Sequence, residues 1–128
     1  MTPLTREWVT KAEGDYATAA RELRARKSPN FDAACFHAQQ CVEKYLKALA
    51  QEFNIPFGRT HNLDVLLIPL LRRYPQWSAM RPVLRELTAY AVETRYPGES
   101  SDREMARQAL MQCRRARKRL RAALEIDD

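Results

Sequence analysis

Apolar residues recur at three- and four-residue steps through most of the chain, which predicts helices rather than strands. The pattern divides into five segments separated by short breaks, and it contains no internal repeat. The first segment covers about residues 5–26, with Thr5 as the expected N-cap. It ends at Ser28-Pro29, because proline disfavours helix in the residue before it. We therefore expect an all-α chain.

The second segment, about residues 31–53, has the clearest helical pattern, with Asn30 as its expected cap. Its apolar positions share one arc of a helical wheel and are Ala34, Ala38, Cys41, Val42, Tyr45, Leu49 and Phe53. This arc must face a core. The neighbouring arc is polar and carries His37, Gln40, Lys44 and Lys47, with Glu43 beside them. The segment thus predicts a polar stripe next to a buried face.

Three more helices complete the predicted set. The third runs from a cap at Thr60 to about Tyr74, and the fourth has Pro82 near its start and ends at about Glu93. Asp102 is the expected cap of the last helix. Two pairs of long helices with short connections predict an up-and-down antiparallel helical bundle of four long helices plus a shorter fifth helix.

The composition fits one domain that spans residues 1–128. Hydrophobic residues make up 45%, charged residues 30%, and there are only three glycines, as expected for helices with hydrated outer faces. The three cysteines lie in apolar segments and match neither a disulfide framework nor a zinc site, so we expect small buried side chains and no metal or cofactor. No apolar run approaches the roughly 20 residues that span a bilayer, so a cytoplasmic protein without a membrane partner is expected.

The formal charge of +6 favours polyanionic partners such as nucleic acid, nucleotides or an acidic protein face. Arginine far outnumbers lysine, which suits bidentate phosphate contacts but is also common in proteins from GC-rich or heat-adapted genomes. The last helix concentrates this charge at Arg114, Arg115, Lys118 and Arg121. Such a face can follow a phosphate backbone, or it can be a solvated surface. No aromatic residues interleave with the arginines to stack bases.

Other candidate anion contacts lie on the polar stripe and in two turns. The lysines of the stripe supply charge, and the Gln40 amide can pair with a base edge. Alternatively the stripe is a solvated flank or an inter-helix network in which Glu43 pairs with Lys47, four residues on. His61 would lie at a helix N-terminus, where it contacts an anion or packs the loop. Arg95 either reaches a phosphate or anchors its turn on an acid.

Four stretches in order resemble the HEPN family, named for higher eukaryotes and prokaryotes nucleotide-binding. One of them resembles the family's signature helix and reads Phe36-His37-Ala38-Gln39-Gln40-Cys41-Val42-Glu43-Lys44-Tyr45-Leu46-Lys47-Ala48. Thr60-His61-Asn62-Leu63 resembles the "THxL" helix start, and Arg95-Tyr96-Pro97 resembles the "RYP" turn before the final helix. The stretch from Trp8 to Leu23 resembles the first helix. Together they cover nearly the whole chain.

The resemblance implies a helical bundle that forms a homodimer or a higher homo-oligomer through long helices. It also implies a minimal nucleotidyltransferase encoded alongside, in modules some of which behave as toxin and antitoxin. Many members are metal-independent ribonucleases, and that activity is associated with a motif of an arginine and a polar residue, then four to six positions that end in a histidine. Here the only histidines are His37 and His61, and no arginine lies five to seven positions before either of them. The chain therefore resembles a subgroup without that motif.

The expected function is a non-catalytic module that binds a nucleotide or RNA-like anion. Its contacts would come from the polar stripe, His61 and Arg95, and it would work with a separate nucleotidyltransferase subunit. One alternative is a degenerate or unconventional ribonuclease that acts across a dimer interface. Another is a plain protein-interaction module whose basic charge only aids solubility.

Overall fold

The computed structural model describes residues 1–93 and 96–126. The described residues form five α-helices, which are α1 (Pro3–Arg24), α2 (Phe31–Glu52), α3 (Leu63–Leu67), α4 (Arg81–Glu93) and α5 (Arg103–Ala123). Two 3-10 helices, Ile68–Arg72 and Pro75–Met80, connect α3 to α4. The described residues form no strand, so the predicted all-α class is confirmed.

The first helix begins earlier than predicted. Thr2 is its N-cap, and the Thr2 Oγ1 accepts a hydrogen bond from the Thr5 backbone N–H at 3.1 Å. Pro3 occupies the first turn, where its missing N–H costs no helical hydrogen bond. The assignment of Thr5 as the cap was therefore wrong. Thr5 is instead buried, and its hydroxyl donates to Glu52 Oε1 at 3.1 Å, joining the start of α1 to the end of α2.

The second helix begins at its predicted residue and ends one residue early, at Glu52. Asn30 caps it as expected, because its Oδ1 accepts from the Ala33 N–H at 2.9 Å. The predicted apolar arc up to Leu49 is fully buried, whereas Phe53 follows the helix and is only partly buried. The buried arc of α2 packs against α1, α3, α4 and α5, so α2 lies at the centre of the fold.

The third segment differs most from its prediction. Its N-cap is Asn62, not Thr60, and the Asn62 Oδ1 accepts from the N–H groups of Asp64 and Val65 at 3.0 and 3.2 Å. The α-helix then lasts only five residues before the chain tightens into a 3-10 helix. Pro69 explains the change, because it has no N–H to continue the α-helical ladder and its ring crowds the preceding turn.

The last two helices begin as the sequence predicts. Pro82 lies in the first turn of α4, and the Asp102 Oδ1 accepts from the Met105 N–H at 2.8 Å to cap α5. The three cysteines are buried and free, as predicted. Helices α1, α2 and α5 have 21 or 22 residues and α4 has 13, and the finer arrangement of four long helices remains a prediction. Within the described ranges, no helix combines the length and apolar character that a membrane crossing requires.

Candidate functional site

Two buried carboxylates organise the polar stripe of α2. We call this stripe the α2 flank, and it consists of His37, Gln40, Glu43, Lys44 and Lys47. At one end of the flank, Asp15 of α1 binds His37 Nδ1 through Oδ1 at 2.7 Å and Lys44 Nζ through Oδ2 at 2.5 Å. Because an ionised carboxylate only accepts hydrogen bonds, His37 Nδ1 carries the proton of this contact. His37 and Lys44 therefore share one environment.

Glu43 is the centre of the other half of the flank. Its side chain is 3% exposed and accepts from Lys47 Nζ at 3.2 Å, which confirms the predicted i,i+4 pair. His61 Nδ1 lies 2.8 Å from Glu43 Oε1, and the Nε2 of Gln40 donates to the same oxygen at 3.2 Å. Gln39, behind the flank, donates to Glu43 Oε1 at 3.4 Å and to the His61 backbone oxygen at 2.8 Å. A buried carboxylate needs such compensation, so these contacts stabilise the fold.

Lys47 is held from two sides. Its side chain is 8% exposed, and its Nζ lies 5.7 Å from the ring centroid of Trp8 and 6.0 Å from that of Phe57. The two rings attract the ammonium group through their electron-rich faces. Together with Glu43, they enclose the cation. Lys47 therefore contributes to packing between α1, α2 and the loop that follows α2.

His61 is the most solvent-accessible side chain of this network. It directly precedes the N-cap Asn62, and its side chain is 67% exposed although its Nδ1 is fixed by Glu43. The imidazole is thus oriented by a buried acid and presented to solvent. The adjoining helix α3 has only five residues, so the network with Glu43 and Gln39, rather than a long helix, positions this ring.

The α2 flank has little uncompensated charge. Asp15 offsets Lys44, and Glu43 offsets Lys47, so the flank gains net positive charge only when the imidazoles are protonated. It is therefore an ordered hydrogen-bonding surface rather than a cationic patch. The sequence interpretation did not include Asp15 and Gln39 in this site. Asp15 could have been found, because an acid within the apolar face of α1 requires a partner.

The sequence also pointed to Arg95, which lies outside the described residues. Its contact with a phosphate or with an acid therefore stays a prediction.

The basic residues of α5 divide between two sides of the helix. On the side that faces α1, Arg117 donates to both oxygens of Glu13 at 2.8 and 2.6 Å. Arg121 donates to Tyr45 OH at 2.8 Å, and that hydroxyl donates to Glu13 Oε2 at 2.5 Å. Burial alone would raise the pKa of Glu13, but the hydrogen bonds from Arg117 and Tyr45 outweigh it and lower that pKa. Burial and the bond to Glu13 raise the pKa of Tyr45.

The four residues predicted to face nucleic acid consequently differ in their contacts. Arg114 donates to Tyr16 OH at 3.0 Å, and Arg121 is turned inward onto Tyr45. Arg115 and Lys118 are exposed, as is Arg119. No hydrogen bond or ion pair joins these last three to any residue in the described part of the chain. We call Arg115, Lys118 and Arg119 the outer face of α5.

A groove between α4 and α5 borders the outer face. Its volume is about 360 Å³, and its apolar lining includes Met80, Val83, Leu84 and Met111. Gln112, Arg115 and Arg119 provide polar groups along α5. Sequence reasoning did not identify this groove, because a cleft between two helices depends on their separation rather than on the pattern of either one.

A family model described as "HEPN domain" matches residues 5–123, and this range includes both the α2 flank and α5. No curated protein and no solved structure matches the chain significantly.

Proposed function

The chain belongs to the HEPN domain family, and from this premise we propose that it is a non-catalytic module that binds a nucleotide or an RNA-like anion. The family match covers nearly all of the chain, and the matched residues contain the polar flank at which such a ligand would bind. The positive formal charge of the whole chain is consistent with an anionic ligand.

One observation carries the proposal: two buried carboxylates hold His37 and Lys44 of α2, and His61 just before α3, in fixed positions. Donors that are already ordered lose less conformational entropy when a ligand binds. An ammonium group has three N–H donors, so Lys44 retains donors beyond the one that Asp15 accepts. Phosphate oxygens of a ligand would bind Lys44 and the exposed ring of His61.

Ligand binding at the α2 flank is tested by thermal shift with a panel of nucleoside triphosphates and short RNAs. A ligand that binds only the folded chain adds about 2.7 kcal/mol of stability at a hundredfold excess over Kd, which raises the melting temperature by several degrees. His61→Ala removes an exposed ring and should abolish most of this shift while preserving the fold. Arg6→Ala, an exposed cation on α1, is the matched control. A flat response across the panel contradicts the proposal.

We further propose that the module is a homodimer or higher homo-oligomer, built as an up-and-down bundle, and that it partners a minimal nucleotidyltransferase in a two-gene, toxin–antitoxin-like system. The support is the family membership together with the four ordered motifs of the sequence. Light scattering of the purified chain should give twice the mass of one 128-residue chain or more. Co-expression with the product of the neighbouring gene tests the partner, and an adjacent gene unrelated to nucleotidyltransferases contradicts it.

A ribonuclease is the second candidate, favoured by two imidazoles that are each oriented by a buried carboxylate. The Nδ1 atoms of His37 and His61 are each fixed by a buried carboxylate, an arrangement that leaves the other ring nitrogen to exchange protons. Cleavage of RNA without metal requires such proton transfers. Structured RNA incubated with the chain in chelator should be cut by the native protein and spared by His61→Ala. RNA that stays intact with the native protein for hours rules this candidate out.

A further inference from the structure

Exposed apolar side chains from two helices meet in the groove between α4 and α5. Val83 of α4 and Met111 of α5 are among the exposed large hydrophobic residues of the chain, and both line the groove. Scattered apolar residues are common on protein surfaces, but an apolar surface with a polar rim is typical of an interaction site. Methionine also adapts its shape to different partners. The groove therefore has the lining of a binding surface.

The wall that α5 contributes to the groove is basic. Arg115 and Arg119 are four residues apart, which places them on the same side of the helix. Both are exposed and line the groove, and neither forms a hydrogen bond or an ion pair with a described residue. A guanidinium group binds a carboxylate or a phosphate through two parallel N–H donors. This wall thus offers two anion contacts that are about one helical turn apart.

The wall that α4 contributes carries the opposite charge. Glu86 lines the groove and accepts a hydrogen bond from Tyr90 OH. A phosphate backbone in the groove would meet this carboxylate as well as the arginines. None of the residues that line the groove is aromatic, so bases would have no ring on which to stack. A protein segment can place acidic residues against α5 and a basic or neutral residue against Glu86, so the charges favour a protein partner.

The length of the surface matches a helix. A second hollow of about 570 Å³ adjoins the groove and shares Ala79 and Arg119 with it. Together the two hollows are lined by residues of α5 from Gln108 to Ala123, a length of roughly 22 Å in an α-helix. Amphipathic helices bind in grooves of this kind through apolar side chains at the i, i+3 or i+4 and i+7 positions. About four turns of a partner helix would cover the surface.

We propose that the groove between α4 and α5 is the docking site of an acidic amphipathic helix from a partner protein. The apolar side chains of that helix pack on Val83 and Met111, and two of its carboxylates, one turn apart, bind Arg115 and Arg119. A second copy of the chain fits less well, because a two-fold interface brings the same patch of both copies together and would place arginines against arginines. The proposal goes beyond the proposed function and does not depend on it.

The test is a fluorescence anisotropy titration of the full chain against labelled peptides of about 15 residues. The first peptide has leucines along one helical face and glutamates along one edge of that face. The second has lysine in place of each glutamate, and the third has proline at the centre of the first, which prevents a continuous helix. The glutamate peptide should bind at least about tenfold more tightly than the other two, and its advantage over the lysine peptide should shrink as salt rises. Equal binding of the three peptides, or binding of none, overturns the proposal.

Variants at exposed positions locate the binding on the chain. Arg115→Glu with Arg119→Glu should reverse the preference, so that the lysine peptide binds more tightly than the glutamate peptide. Met111→Glu places a charge against the apolar face of the peptide and should weaken binding about tenfold or more. The control pair, Arg6→Glu with Lys11→Glu, makes the same charge change on α1, which contributes no residue to the groove, and should keep the affinity within about threefold. An unchanged preference after reversal of Arg115 and Arg119 overturns the proposal.

The same proteins distinguish docking in the groove from ligand binding at the α2 flank. His61→Ala should leave the affinity for the glutamate peptide unchanged. If the chain binds RNA but not the glutamate peptide, the docking proposal falls and the proposed function stands. If the chain binds the glutamate peptide but no nucleotide or RNA, the proposed function fails and the docking site stands. If Met111→Glu converts an oligomer to a monomer, the groove is a subunit interface and the docking proposal is overturned.

Discussion

The α2 flank and the outer face of α5 both carry cations at helical spacing, yet the structure treats them differently. On the flank, Lys44 and Lys47 are bound by the buried acids Asp15 and Glu43. On the outer face, Arg115 and Arg119 have no acid partner among the described residues. The lysines of the flank are held by the same acids that orient the two imidazoles, whereas the arginines of the outer face remain available for an anion.

The difference shows that the partner of a basic residue, more than its position in a run of charged residues, decides whether it stabilises the fold or can bind an anion. Within α5 itself, Arg117 forms two hydrogen bonds with Glu13, and its neighbour Lys118 forms none with the described residues. A step of one residue turns a side chain by about 100° around the helix. Adjacent cations can therefore differ in role: Arg117 stabilises the fold, whereas Lys118 is exposed. Substitutions of the two kinds of cation should have different effects on stability.

The largest expected effect is on the flank. Glu43→Ala leaves the enclosed ammonium of Lys47 without its counterion and removes the acceptor of His61 and Gln40. Breaking a buried pair from one side costs about 3 kcal/mol or more, which urea unfolding would detect as a lower midpoint. The matched control is Glu104→Ala, an exposed acid paired with Arg107, which should change stability by less than about 0.5 kcal/mol. Equal effects of the two substitutions would contradict the claim that the buried Glu43–Lys47 pair stabilises the fold more than the exposed Glu104–Arg107 pair does.

The second expected effect is a pH dependence centred on Glu13. In the folded state the pKa of Glu13 is lowered from its ordinary value of 4.5. The ionised carboxylate therefore stabilises the fold above pH 4.5, and this stabilisation is lost as the pH falls through the lower pKa of the folded state. Glu13→Gln should cost about 2 kcal/mol at neutral pH and progressively less under acid conditions. Unfolding curves of both proteins from pH 7 down to pH 3 test this. A difference that stays constant with pH shows that the charge of Glu13 is not responsible.

A smaller effect compares the two sides of α5 directly. Arg117→Lys replaces a bidentate contact with a single donor and should destabilise the chain by about 1 kcal/mol. Arg115→Lys changes an arginine that has no acid partner in the described residues and should have an effect below about 0.5 kcal/mol. Thermal unfolding of the two single variants measures both. Equal destabilisation would mean that Arg115 is anchored as firmly as Arg117.

The smallest expected effect concerns Lys118, which lies on the outer face between the two groove arginines. Lys118→Ala should leave stability unchanged and weaken the binding of a short RNA only slightly. Loss of one phosphate contact reduces the slope of log affinity against log salt by about one. Fluorescence titrations at several salt concentrations measure the slope. An unchanged slope would show that Lys118 does not contact a phosphate of the bound ligand.

Periodicity and capping residues were sufficient to predict the all-α class, the start of α2 at Asn30 and the start of α5 at Asp102. They failed at α3, where Pro69 replaces an α-helix by a 3-10 helix. Of the site, the sequence predicted the pair of Glu43 and Lys47, because both members lie on one helix. The partners contributed by other elements, such as Asp15 for Lys44, depend on how the helices pack and were not predicted.

The central claim, that the arginines of α5 are divided into anchored and available sets, is tested most directly by NMR of the arginine Nε–H groups. In the protein alone, the Nε–H groups of Arg114 and Arg117 should exchange slowly with water, because Tyr16 and Glu13 accept their hydrogen bonds. Those of Arg115 and Arg119 should exchange rapidly, because no residue in the described ranges accepts a hydrogen bond from them. Slow exchange of all four before any ligand is present would contradict the account.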